Sequence, residues 1–116
     1  MNWNLHYFPT HWAGKKLAYP NVPKEHPKFA QSIAVGNLVF VSGCVGQNLS
    51  TGAPAPEGAE DQVRLALENT KQAMETAGSS MENIVKTFFL ITSLDDYQQV
   101  RKTETEFYEA HAPSLR

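Results

Sequence analysis

Val35-Gly36-Asn37-Leu38-Val39-Phe40-Val41-Ser42-Gly43 is the stretch on which the fold turns. Its second half is a β-rich run that ends at a glycine, and Gly36-Asn37 tolerates the positive φ required between two closely joined antiparallel strands. A tight hairpin is predicted here. Upstream, Phe29-Ala30-Gln31-Ser32-Ile33-Ala34-Val35 puts its larger apolar side chains, at 29, 33 and 35, on one face at period two, as a half-buried strand requires. Further upstream, prolines at 9, 20, 23 and 27 stand among Trp3, Tyr7, Phe8, Trp12 and Tyr19. Prolines at that density fix φ and remove backbone donors, so residues 1–28 read as an irregular arm over apolar surface and residues 29–116 as the domain.

Downstream, residues 45–58 carry three Gly, two Pro and two Ser/Thr, the composition of a loop. Val63, Ala66, Leu67, Thr70, Ala73, Met74 and Ala77 then recur at three- and four-residue steps, predicting an amphipathic helix over residues 59–77 with Gly78 as its stop. Ile84-Val85-Lys86-Thr87-Phe88-Phe89-Leu90-Ile91 is short and rich in β-formers, and reads as a central strand. Ser93 with Asp96 resembles a capping box, and Leu94, Tyr97, Val100, Glu104, Phe107 and His111 follow at helical spacing, giving a second helix over residues 94–110. The order is strand, strand, helix, strand, helix. Three strands make a narrow sheet for two helices, so further strands are expected from elsewhere.

Length and composition narrow the class. The 116 residues suit one compact domain, and 41% hydrophobic with 19% charged residues is ordinary globular usage, which excludes a disordered chain or a coiled coil. Ten Lys and Arg stand against twelve Asp and Glu, with no basic run longer than Lys15-Lys16, so a polyanion has little to bind and nucleic acid is an unlikely partner. Cys44 is the only cysteine; it excludes an internal disulfide and fits a reducing, cytoplasmic setting. No apolar run is long enough for a membrane span.

Several motifs, taken in order, carry a resemblance. They are residues 35–43 as quoted above, Gln62 and Asn69 on the first helix, Ala77-Gly78, Val85-Lys86-Thr87, and Leu94-Asp95-Asp96-Tyr97. Together they cover residues 29–112 and are similar to the Rid (YjgF) family of enamine/imine deaminases. The resemblance implies an α+β two-layer sandwich like the Bacillus type of chorismate mutase, β-β-α-β-α-β-β, with a mainly antiparallel mixed sheet and both helices on one face. On that pattern the last two strands would follow Arg116. It also implies a homotrimer with ligand clefts between subunits, and hydrolysis of 2-aminoacrylate-like 2-imino acids to 2-keto acids and ammonia. No cofactor or metal is implied. The family's carboxylate-binding arginine and terminal acid would both lie beyond Arg116, so the catalytic residues are not identified within this sequence.

Six positions are candidates for ligand contact. Ser42 and Gly43 form the part of the pocket that best matches the family, offering a hydroxyl and backbone groups at a strand end; the plain alternative is a strand terminus that needs a small residue. Arg101 lies one turn after Tyr97 on a largely apolar stripe, where many relatives have Asn; its fork suits a carboxylate, and its ordinary role would be an ion pair with Glu104 or Asp96. Phe29, where many relatives have Tyr, and Phe89 would wall the cleft or simply fill the core. Cys44 is either near the pocket or a small buried hydrophobe. His6 and His11, five residues apart in the arm, make a weak metal pair, and metal binding is not expected. Asn69 and Gln62 suit helix-to-loop hydrogen bonds. The competing functions are a non-catalytic keto-acid binding module of the same fold and, less well supported by the acidic balance, RNA cleavage.

Overall fold

The computed structural model describes residues 15–17 and 31–115. Phe29, Arg116, His6 and His11, and with them the expectations attached to each, lie outside the described residues. The sheet comprises β1 (Lys15–Leu17), β2 (Ser32–Val35) and β3 (Leu38–Val41), antiparallel throughout in the order β1-β2-β3. The helices are α1 (Ala59–Thr76) and α2 (Tyr97–His111).

The predicted hairpin is present, with Val35 paired to Leu38 and Ser32 to Val41. Gly36 takes φ 59° while Asn37 stays at negative φ, the pattern of a type II′ turn, whose twist matches that of the strands it joins. One correction concerns the arm. Lys15–Leu17 pairs with β2, in the proline-free interval between Pro9 and Pro20 where every residue keeps its N–H for a ladder.

The register also settles the faces of the hairpin, which the period-two pattern leaves open. Residues directly opposite in a ladder share a face, so Ser32, Ala34, Val39 and Val41 lie together, and Val41 packs on the helices' core. The larger apolar residues Ile33, Val35, Leu38 and Phe40 therefore form the opposite face, where Leu38 and Phe40 are exposed. Ser32 is 1% exposed, and its hydroxyl has no partner among the described residues.

α1 begins after Gly58, at φ 91°, with Glu60 and Asp61 in its first turn, where carboxylates favour the positive end of the helix dipole. It ends as predicted. Gly78 N–H donates to the Glu75 carbonyl at 2.9 Å and Ser79 N–H to that of Met74 at 2.9 Å, a Schellman closure that needs the positive φ of Gly78. Ahead of α2, a short 3-10 turn (Leu94–Asp96) is capped by Ser93 Oγ, which accepts from Asp95 N–H at 3.2 Å. The Ser93 half of the predicted capping box is thus present one turn before the α-helix proper.

The core lies between the helices and the Val41 face of the sheet. Val63, Leu67 and Met74 of α1 meet Val100 and Phe107 of α2, closed by Met81 and Ala112. Fully burying a side chain the size of Val, Leu, Met or Phe is worth roughly 1.5–3 kcal/mol, and six of these seven are of that kind. The Val63/Leu67/Met74 and Val100/Phe107 spacings are the helical periodicities read from the sequence.

Residues 84–91 depart most from expectation. They carry no regular structure, and no strand among the described residues pairs with them. Ile84, Phe89 and Ile91 turn inward to the core, while Val85, Phe88 and Leu90 are 90%, 80% and 97% exposed. The composition of a central strand is there, but among the described residues its hydrogen-bonding neighbours are not.

Candidate functional site

Two places in the fold hold the candidate residues. The first is the end of β3. Ser42 N–H donates to the Gln31 carbonyl at 2.8 Å, extending the ladder one residue past Val41, and leaves Ser42 and Gly43 exposed. A Cβ built on Gly43 meets nothing within 4 Å among the described residues, so packing there does not demand glycine. Cys44 is half-buried, with its thiol 3.4 Å from the Ser42 carbonyl.

The loop that follows is fixed from α1. Asn69 Nδ2 donates to the carbonyls of Val45 at 2.9 Å and Gln47 at 2.8 Å, and Gln62 Nε2 donates to Pro56 at 2.7 Å. Gly46 lies so close to α1 that a Cβ would sit 2.2 Å from the Gln62 carbonyl oxygen, which only glycine avoids. Asn48 closes the loop tip by accepting from Ser50 and Thr51 N–H groups, at 3.0 and 3.1 Å. The strand end is thereby held against the helix layer.

The second place is an open groove of about 420 Å³ between residues 84–87 and one face of α2. Ile84, Val85, Lys86 and Thr87 form one wall; Arg101, Glu104, Thr105 and Tyr108, spaced at three and four residues, form the other. Arg101 Nη1 donates to Glu104 Oε2 at 2.7 Å, with the guanidinium 56% exposed and the carboxylate only 11%. This is the ion pair anticipated from sequence, and its buried acid fixes an outward-facing cation. Burial raises the Tyr108 pKa above that of an ordinary phenol; a hydrogen bond from Thr87 opposes the shift and the charge of Glu104 adds to it. Tyr108 is therefore a neutral O–H near neutral pH.

Arg101 lines this groove, whereas Ser42, Gly43, Cys44 and Phe89 do not. Phe89 packs on the core. Of the other groove residues, the sequence points to Glu104 as a partner for Arg101 and as part of the helical stripe, and to Lys86 and Thr87 as strand and motif residues; it singles out none of them, nor Thr105 or Tyr108, as a ligand contact. The signal was available in the spacing of residues 101, 104, 105 and 108, which share one helical face. Among the described residues no group of three metal-ligating side chains comes together, and no helix is long and apolar enough to cross a membrane.

An antiparallel hairpin under two packed helices, with a fixed loop at the strand end, defines a small α+β protein of the kind seen in several solved structures. The YjgF gene product of E. coli superimposes with a TM-score of 0.77 at 32% identity, covering 84% of this chain and 76% of that one. E. coli TdcF, solved with bound serine, matches with a TM-score of 0.76 at 31% identity and the same coverage of 84% and 76%. In sequence, the 2-iminobutanoate/2-iminopropanoate deaminase of Salmonella typhimurium is 34% identical over 97 residues, 84% of this chain and 75% of that protein. The endoribonuclease L-PSP family model matches residues 20–115. The chain belongs to this family, that of Rid and YjgF.

Proposed function

We propose that the protein hydrolyses small reactive enamines and imines, 2-aminoacrylate-like 2-imino acids, to 2-keto acids and ammonia. The observation that carries this reading is the match, over most of the chain, to proteins named as 2-iminobutanoate/2-iminopropanoate deaminases. The chemistry asks little of a protein. Water adds to the imine carbon, the resulting carbinolamine loses its C–N bond, the nitrogen leaves with a proton as ammonia, and the carbonyl forms. Because the imine carbon is already electrophilic, the site needs a cation for the carboxylate, a group to orient water and donors near the nitrogen.

Ser42 and the backbone at Gly43 would stand near the ligand at an open strand end, and Arg101 offers a cation. These two places are separate within one chain, and the Ile33/Val35/Leu38/Phe40 face of the sheet is apolar and partly open. Both features support a homotrimer in which subunits meet through their sheets and complete each other's clefts, with the sheet extended to the chorismate-mutase-like pattern. The lone cysteine fits work in the cytoplasm.

The test is ammonia release from 2-aminoacrylate generated in place, compared with a buffer blank, alongside the mass of the assembly by analytical ultracentrifugation. Acceleration by a trimer is expected; a trimer that gives none sinks the deaminase reading. Arg101, already paired with Glu104, favours a second reading in which the same fold binds keto acids without turnover. Ribonuclease activity, which the family's description names, is expected to be absent from the same preparation.

A further inference from the structure

The outer face of the hairpin is apolar, and a segment of matching chemistry is attached beside it. Ile33 lies opposite Phe40 and Val35 opposite Leu38, so the four share that face, with Leu38 51% and Phe40 59% exposed. Large apolar side chains set opposite one another across two strands are the kind of patch that marks an interaction surface.

The segment is residues 1–14. It contains Trp3, Leu5, Tyr7, Phe8 and Trp12 and no Asp, Glu, Lys or Arg, so it gains by leaving water and brings no charge that would resist doing so. The family match begins at residue 20, and this segment lies outside it. Its point of attachment is favourable. β1 runs antiparallel to β2 with Lys15 opposite Ala34, so the chain before Lys15 leaves the sheet at the Gly36-Asn37 end, one strand from β2 and two from β3. Strands lie about 4.8 Å apart, and fourteen residues span up to roughly 46 Å, which is ample to turn back over Val35, Leu38 and Phe40.

We propose that residues 1–14 fold back over the outer face of their own subunit's hairpin, their aromatic side chains covering Leu38 and Phe40. The proposed homotrimer would assemble through the same face, so on that reading the segment and a neighbouring subunit compete for it. The segment then sets the concentration at which subunits associate. A cover in place about nine-tenths of the time leaves one face in ten competent and weakens association about tenfold at each face.

Trp3 and Trp12 are the chain's two tryptophans, so tryptophan emission reports on this segment alone. In the whole chain, diluted until sedimentation shows a monomer, the emission should lie to the blue of the urea-unfolded chain and be shielded from acrylamide. Leu38→Ser/Phe40→Ser alters exposed side chains and should leave the far-UV circular dichroism unchanged, while moving emission and quenching back toward the unfolded values. Phe40→Ser alone should move them part of the way. Parent emission equal to that of the unfolded chain, or shielding that both variants leave intact, would overturn the proposal. So would shielding that appears only as subunits associate, which puts the segment on a neighbouring copy, or a trimer that persists at the lowest measurable concentration. A red shift as the trimer forms supports the competition, whereas shielded tryptophans with no trimer at any concentration remove only the trimer.

Discussion

Residues 42–58 and residues 84–91 both lack regular structure, and they meet their surroundings in opposite ways. The first stretch has a composition that ought to make it loose, yet α1 holds its carbonyls through Asn69 and Gln62, and Gly46 lets it lie directly on the helix backbone. The second has a composition that ought to make it rigid, yet among the described residues no strand pairs with it and three of its large apolar side chains face outward. Order in this molecule follows the supply of partners rather than intrinsic preference. Turn-forming residues become fixed where a helix offers donors, and strand-forming residues stay unpaired where no ladder reaches them.

The largest effect on this contrast is expected from Asn69→Ala. It strands the carbonyls of Val45 and Gln47 and should cost about 1–3 kcal/mol in urea unfolding. Amide exchange over residues 45–53 should rise toward that of residues 85–91, and an unchanged exchange pattern would show that the loop is held by other means. A smaller effect is expected from Leu90→Ser, whose side chain is almost wholly exposed: within about 0.5 kcal/mol for the dilute single chain. A larger loss, growing with protein concentration, would mean that a partner covers residues 84–91.

The smallest effect is confined to alkaline pH. Tyr108 titrates above the ordinary phenol value of 10.0 in the folded protein. The unfolded chain therefore loses this proton first as pH rises, and folding stability declines from about pH 10 upward until the folded phenol also ionises. Tyr108→Phe should flatten that decline in a thermal melt series, while leaving the melting temperature near pH 7 almost unchanged. An equally steep alkaline loss in the variant would place its origin elsewhere.

Much of the fold was legible because its signals are local. The Gly36 turn, the Gly78 stop and the 63/67/74 and 100/107 stripes each depend on residues close in sequence. What escaped was long-range. The pairing of Lys15–Leu17 with β2 joins residues 15 to 19 positions apart, and period-two patterning could not say which face of the hairpin the helices would cover. Val85 to Ile91 carries the propensity of a strand, but propensity does not supply a neighbour. In the candidate site, Arg101 and its pairing with Glu104 were readable from i,i+3 spacing. The wall formed by Lys86 and Thr87 was not, since it arises only when residues 84–87 are laid beside α2.

Lys86 has one more consequence, for solubility. Ile84-Val85-Lys86-Thr87-Phe88-Phe89-Leu90-Ile91 combines β propensity, apolarity and an unpaired backbone, the features that seed intermolecular cross-β stacking. Its single charge is at the third of the eight positions, with the ammonium over the Phe88 ring, so any copy aligning in register would bring like charges together on a flank of the most apolar stretch. The lysine that rims the groove is also the one charge within this segment that opposes its in-register stacking.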